Sequence, residues 1–370
     1  MKSRLDVVHI TPLLFGEEGI RGGAERYAYE LALAMSQRHA TKLVTFGPEA
    51  KELSVEQLRI QVLKPHSYPR QQGQTTKINP LSVKPLVSSL RDSDIIVCHQ
   101  QNLLSSTIAA CWGRLTRRRV FTIPLGGAGW DLSSYISTDR LFSGILHISE
   151  FSRKLHGHQN WPRSHVIYAG VNREQFYRDP GVSKDDSVLF VGRFLPHKGI
   201  DILLRAVPSD MPCFIVGTPK GQDYFRHLQE LAAGKNVQFM QHVGDEELRR
   251  LYQRALCVVL PSVCTDMYGS YSPWSELLGQ TVLEAMVYGT VAVASDIGAF
   301  PEMIEDGKTG CLHREGDADS LAAVLSGLRD NPSRSAAIAN AGYDHVQSQW
   351  TWERVLDRCD DVFLRDGRRI

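Results

Sequence analysis

Short runs dense in Val, Ile and Phe alternate along this chain with longer stretches whose apolar residues recur every three or four positions. Brief continuous apolar runs suit strands buried on both faces, and the longer period suits helices that cover them. The alternation predicts β–α units that build parallel sheets. In the first half, strands are expected at residues 6–11, 42–46, 60–64, 94–99, 120–123, 145–149 and 165–169, with helices near 23–38, 103–116 and 150–156. In the second half, strands are expected at 187–192, 213–217, 237–242, 257–260 and 290–295, each followed by a helical segment. The pattern therefore occurs twice, as two doubly wound, Rossmann-like sheets.

Residues 172–186 are polar, carry Pro180-Gly181 and a Lys-Asp-Asp run, and show neither period, which marks a domain linker. The expected domains are 1–172 and 173–350. After Asn331-Pro332 the chain reads as helical to its end, with Trp350, Trp352, Val355, Leu356, Val362 and Phe363 forming an apolar face that must dock on something. Ligands of open parallel sheets bind beyond the carboxyl ends of the strands, so two such domains facing each other predict one cleft between them.

Composition narrows the function classes. A length of 370 residues and 42% hydrophobic content suit two ordinary cores. With 42 basic and 41 acidic residues the net charge is +1, so bulk charge calls for no nucleic acid or acidic polymer. The seven cysteines form no CxxC pair and no zinc-like spacing, which reads as reduced cytosolic thiols. No run approaches the ~18 apolar residues of a membrane span, and the opening apolar run is too short for a secretory core. A cytoplasmic protein is expected, with membrane contact at most peripheral on the inner membrane face.

Candidate chemistry follows strand ends. Gly22 and Gly23 open a helix after the first strand, where backbone N–H groups either hold an anion or only begin a helix after a flexible loop. The spacing is not GxGxxG, which weighs against a nicotinamide cofactor. Arg193 and Lys198, in GRFLPHKGID, flank a strand end and a helix start, a placement that suits a diphosphate or else is solvated charge. Glu276 and Glu284, in ELLGQTVLE, lie in a loop and in the helix after it, with Gly279 allowing a tight approach. Two such carboxylates can accept hydrogen bonds from ribose and sugar hydroxyls, although a chance pair is easily found among 41 acidic residues. His99 ends a strand, and is either a hydroxyl-binding group or a hydrogen-bonded structural histidine. Arg117-Arg118-Arg119 compensates a helix dipole or meets an anionic membrane.

These residues resemble the retaining GT-B glycosyltransferases of the group-1 class, also called family four, over nearly the whole chain. The carrying motifs are GGAER at 22–26, HISEFSR at 147–153, VIYAGVNREQF at 166–176, VGRFLPHKGID at 191–201, DEELRRLYQRALCVVLPS at 245–262 and ELLGQTVLEAMVYGTVAVASDIGAFPEMIEDGKTGCL at 276–312. The resemblance implies transfer of a sugar from a nucleoside-diphosphate sugar to an acceptor hydroxyl, with retention of configuration and with neither metal nor other cofactor. Arg193 and Lys198 would hold the diphosphate, Glu284 the ribose and Glu276 the transferred sugar, with backbone at Leu278, Gly279 and Gln280 assisting. The GGAER loop would close over the phosphates from the other domain, and the helix over 351–370 would return to the first domain. The acceptor is a saccharide, a lipid-linked glycan or a small metabolite. Rival readings are a noncatalytic sugar-nucleotide-binding partner subunit and a same-fold epimerase or phosphorylase.

Two departures from the family pattern stand out. Pro124 occupies a position where many relatives carry a histidine or another polar residue, which leaves His99 or Asp131 as substitutes, or backbone alone. Between Ser262 and Glu276 the chain inserts VCTDMYGSYSPWS, residues 263–275, whose Tyr268, Tyr271 and Trp274 suit stacking on a sugar ring or covering the acceptor. The insertion is expected to shape specificity, or else to decorate the surface.

Overall fold

Strand β1 (Asp6–Ile10), buried from Val7 onward, lies between β2 (Ala40–Phe46) and β5 (Ile95–His99), parallel to both. The computed structural model describes residues 4–14, 22–67, 79–126, 136–172, 177–179 and 181–365. The chain divides into two units, one of Met1–Ala169 with Trp352–Ile370, the other of Gly170–Thr351.

The first unit holds an eight-stranded sheet in the order β3-β4-β2-β1-β5-β6-β7-β8. Its remaining strands are β3 (Lys51–Val55), β4 (Leu58–Leu63), β6 (Arg119–Ile123), β7 (Gly144–His147) and β8 (Ser164–Val166), all parallel except β3. Helix α1 (Gly23–Ser36) buries Tyr27, Leu31 and Met35, spaced four apart and so on one face. Helices α2 (Val83–Leu90), α3 (Leu104–Thr116) and α4 (Glu150–Leu155) follow. The hydrophobic pattern missed β3 and α2. The strand is a mostly exposed edge with only Leu53 and Val55 on its apolar face, joined to β4 through Glu56 in the left-handed region (φ 49°) without the usual Gly or Asn. The helix has only eight residues and contains Pro85.

The second unit holds six parallel strands in the order β11-β10-β9-β12-β13-β14. They are β9 (Val188–Val191), β10 (Cys213–Val216), β11 (Val237–Met240), β12 (Cys257–Leu260), β13 (Val291–Ser295) and β14 (Cys311–His313). The covering helices are α5 (Ile200–Ala206), α6 (Gln222–Ala232), α7 (Asp245–Arg254), α8 (Gln280–Val287), α9 (Phe300–Met303), α10 (Ala318–Asp330) and α11 (Pro332–Gln349). This order runs outward from β9 in one direction and then restarts beside it with β12. The switch point therefore falls between β9 and β12, where open α/β sheets bind ligands.

The chain passes from the first unit to the second at 169/170, so the segment read as a linker, 172–186, stands at the start of the second unit, where its later residues are fastened. Asp185 N–H donates to the Arg254 carbonyl at 2.8 Å, the Arg254 guanidinium returns to its carboxylate at 2.7 Å, and Lys184 Nζ donates to Thr290 Oγ1. The helix expected to run unbroken to the end stops at Gln349. Trp350 and Thr351 leave helical geometry because their backbone joins Val171, through a 3.0 Å bond to the Trp350 carbonyl and a parallel bridge to Thr351. A separate helix, α12 (Trp352–Arg365), then packs in the first unit. Trp352 meets Tyr27 with ring centroids 5.7 Å apart, Phe363 meets Phe121 at 5.1 Å, and Arg38 pairs with Asp357 at 2.7 Å. Among the described residues no helix is long and apolar enough to cross a membrane.

Candidate active site

The loops after β9 and β12 meet at the switch point of the second unit. Beyond β9 the chain makes a single 3₁₀ turn at Pro196–Lys198 and enters α5 through Gly199, at φ 65°. A Cβ on Gly199 would lie 1.9 Å from the Pro261 carbonyl oxygen, so only glycine lets the two loops approach this closely. Val263 N–H donates to the His197 carbonyl at 2.9 Å and ties the loops together again.

That approach brings Lys198 to Glu276, 78 positions later in the chain. Lys198 Nζ donates to Glu276 Oε1 at 2.6 Å, and Ser262 Oγ donates to the same oxygen at 2.5 Å. Ser262 is held in turn, its carbonyl accepting from Ser295 Oγ at 2.5 Å. The carboxylate is 7% exposed and the lysine 23%, so the pair lies where water screens it poorly. Burial and then the charge of Lys198 lower the pKa of the neighbouring His197, favouring its neutral form. Arg193 is exposed just past β9, and its side chain makes no hydrogen bond or ion pair with any described residue.

The backbone of Glu276 is anchored by Ala299 N–H, which donates to its carbonyl at 3.1 Å. Leu277 and Leu278 are buried, and Gly279 starts α8 at φ 114° with no side-chain cap. A Cβ on Gly279 would stand 2.6 Å from the Phe300 ring, so this turn also requires glycine. Gln280 then opens the helix. Glu284 lies one turn further, buried, with Oε2 accepting from the Tyr252 hydroxyl at 2.7 Å. Tyr252 is itself buried and stacks on Tyr288, with centroids 5.1 Å apart.

Arg193, Lys198, Glu276, Leu278, Gly279, Gln280 and Glu284, to which the sequence points, all lie in the second unit around this switch point. Ser262 and Tyr252 join them without a role that the sequence assigns. Both fall in the motif at 245–262, which singles out neither; Ser262 is also a hydroxyl just after a strand end, whereas Tyr252 sits inside α7.

The other candidates lie in the first unit. Gly22 is the extended N-cap of α1 and Gly23 its exposed first residue, again with no side-chain cap. His99 ends β5 and is 1% exposed, with Nε2 2.9 Å from His9 Nδ1 and the rings stacked at 5.2 Å. Burial, reinforced by His9, holds the His99 pKa well below the ordinary range, and burial pushes His9 down to about 3. Both are therefore neutral near pH 7, one nitrogen of the contact donating and the other accepting. Pro124 is buried after β6, and Asp131 lies outside the described residues, as do Gly127, Ala128 and Gly129. Asp139, His158 and His147 form a further chain, with contacts of 3.3 Å and 3.2 Å, that no motif had suggested. Among the described residues no group of three or more His, Cys, Asp or Glu side chains is arranged to hold a metal ion.

Each half of the chain matches a family model. Residues 21–175 match Glycosyltransferase Family 4, and residues 172–345 match Glycosyl transferases group 1. The chain belongs to the group-1, family-four glycosyltransferases. A curated relative of this chain is the D-inositol 3-phosphate glycosyltransferase of Streptomyces avermitilis, 29% identical over 63% of this chain and 53% of that protein. Another is the GDP-mannose-dependent alpha-(1-6)-phosphatidylinositol monomannoside mannosyltransferase of Mycolicibacterium smegmatis, 30% identical over 54% of this chain and 55% of that one. The chain spans about half the length of the curated relatives it matches. Among solved structures, Anabaena HepE in complex with UDP and glucose aligns over 98% of this chain and 100% of its own, with TM-score 0.72 and 18% identity. A glycosyltransferase from Rickettsia africae aligns over the same shares with TM-score 0.74 and 17% identity. These likenesses establish the GT-B fold of two parallel-sheet α/β units.

Proposed function

We propose that this chain transfers a sugar from a nucleoside-diphosphate sugar to an acceptor hydroxyl, with retention of anomeric configuration and without a catalytic metal. The observation that carries the reading is the buried Lys198–Glu276–Ser262 constellation at the β9/β12 switch point. Arg193 and Lys198 bind the diphosphate, Arg193 as an exposed cation and Lys198 by dividing its donors between Glu276 and a phosphate oxygen. The backbone at Leu278, Gly279 and Gln280 and the uncapped start of α8 add N–H donors and a favourable dipole. Glu284 accepts from the ribose hydroxyls while Tyr252 steadies it, and Glu276 accepts from a hydroxyl of the transferred sugar.

In the chemical step the bond from the sugar's anomeric carbon to the diphosphate oxygen breaks, and the electron pair leaves with the diphosphate. Arg193 and Lys198 stabilise that growing charge, which lowers the barrier more than it stabilises the bound donor. The acceptor oxygen bonds to the same face of the anomeric carbon, and its proton passes to the departing phosphate.

A thermal-shift and calorimetric screen against UDP-, GDP-, ADP- and dTDP-sugars tests the proposal. One nucleotide sugar should raise the melting temperature, and the effect should vanish in Arg193→Ala and Glu284→Ala. A folded chain that responds to none of them, or variants that respond as the native chain does, would overturn it.

A further inference from the structure

The insertion between Ser262 and Glu276 is a closed hairpin. Thr265 and Tyr271 pair as an antiparallel bridge, and Ser272 N–H donates to the Cys264 carbonyl at 2.7 Å. At the tip the Asp266 carboxylate accepts from the N–H groups of Tyr268 and Ser270 at 2.9 Å and 3.0 Å. At the base Ser275 Oγ bonds the carbonyls of Val263 and Ser272, each at 2.8 Å, and Cys264 N–H donates to Glu315 at 2.5 Å. A segment already ordered in this way has less conformational entropy to lose when it binds.

Its surface is unusual for this molecule. Ten large hydrophobic side chains are exposed among the described residues, and four of them fall within the eight positions 267–274. They are Met267, Tyr268, Tyr271 and Trp274, at 39%, 57%, 69% and 39% exposure. Three of the four are aromatic rings with a polar edge, which suits a ligand that offers both an apolar face and hydroxyls. An aliphatic patch would instead suit lipid.

The hairpin is continuous with the candidate active site. It departs from Ser262 and returns at Glu276, the two groups joined by the 2.5 Å hydrogen bond, and Trp274 stands two positions before Glu276. Tyr268 reaches sideways to Tyr224 at the start of α6, with ring centroids 6.4 Å apart. The loop therefore runs from the end of β12 toward the helix that follows β10, past the β9 turn to which Val263 is bonded. Tyr268 has its edge contact, and Tyr271 presents the largest exposed aromatic surface.

We infer that residues 263–275 form a saccharide subsite, in which Tyr271 and Trp274 stack on a sugar ring of the acceptor beside Glu276. The inference rests on the glycosyltransferase reading above and deepens it, since it makes the acceptor a saccharide or a glycan-bearing molecule rather than a ring-free metabolite.

The test compares the full chain with Tyr271→Ala/Trp274→Ala and with Tyr271→Phe/Trp274→Phe, all checked for native melting. Each is first titrated with UDP, GDP, ADP and dTDP, then probed on an array of glucose-, mannose-, galactose- and N-acetylglucosamine-based oligosaccharides with the preferred nucleotide present. The native chain and the Phe variant should retain at least one saccharide class. The Ala variant should lose roughly tenfold or more of that affinity, with nucleotide affinity unchanged. A native chain that binds nucleotide and no saccharide, or an Ala variant that retains saccharide equally, would overturn the subsite. Saccharide retention lost in the Ala variant, in a chain that binds no nucleotide, would uphold the subsite and remove the donor reading instead.

Discussion

Glu276 is buried with two donors on a single oxygen, so its neighbours matter to stability as well as to binding. Lys198→Ala should leave a largely buried carboxylate with only Ser262 and lower stability by roughly 1–3 kcal/mol in denaturant titration, because a half-broken buried pair is worse than none. The same variant should weaken nucleoside-diphosphate binding by about 10- to 100-fold in calorimetry, the usual worth of a charge-assisted hydrogen bond. Glu276→Gln should keep nucleotide affinity and lose transfer. Histidines supply the pH dependence. His9 and His99 are buried and held neutral, with folded pKa values below the unfolded value of about 6.5. As pH falls below that value the unfolded chain takes up protons that the folded pair refuses, so stability is full above it and declines toward pH 3. Each such histidine removes up to about 1.4 kcal/mol per pH unit in that window. Melting curves from pH 7.5 to 5 should show the loss, and His9→Phe should make it shallower by about one histidine's share.

Among the elements, α8 and the loop that enters it supply Glu276, the N-cap glycine, the first helical turn and Glu284, all from ELLGQTVLE. That stretch was legible in the sequence, since a glycine between two acidic residues ahead of an apolar helix is a local signal. Gly279→Ala should destabilise the second unit by about 2–4 kcal/mol, for it combines a φ of 114° with a Cβ 2.6 Å from the Phe300 ring. Equilibrium unfolding followed by fluorescence reads this directly. Other elements were illegible for equally local reasons. The edge strand β3 is mostly exposed and its alternation spans only Glu52 to Val55, too short to stand out, and the break at Trp350 has no Gly or Pro to announce it.

At the scale of the whole molecule, α12 is far from the first unit in sequence and yet part of its core. Phe363 is 1% exposed against Phe121, and Trp352 covers Tyr27. Phe363→Ala should therefore cost the first unit about 3–5 kcal/mol and leave the second unchanged. Calorimetry should show the loss confined to one transition, and a chain ended at Thr351 should lose that transition altogether. If both transitions shifted together, the division into two separately cored units would be wrong.

The sequence by itself determined that this protein is built of two α/β sheets and set its candidate site residues after strand ends. Both conclusions rest on short-range properties, the periods of apolar residues and the glycines and charges that terminate each strand. Only the tertiary structure decided which strand ends meet. The order β10-β9-β12 in the second unit brings Lys198 to Glu276 across 78 positions and sets the aromatic hairpin between Ser262 and Glu276, and the pairing of β1 with β5 in the first unit brings His99 to His9. Strand order is set by how whole faces are buried and by which crossovers can close over them, and no local window of residues contains that information.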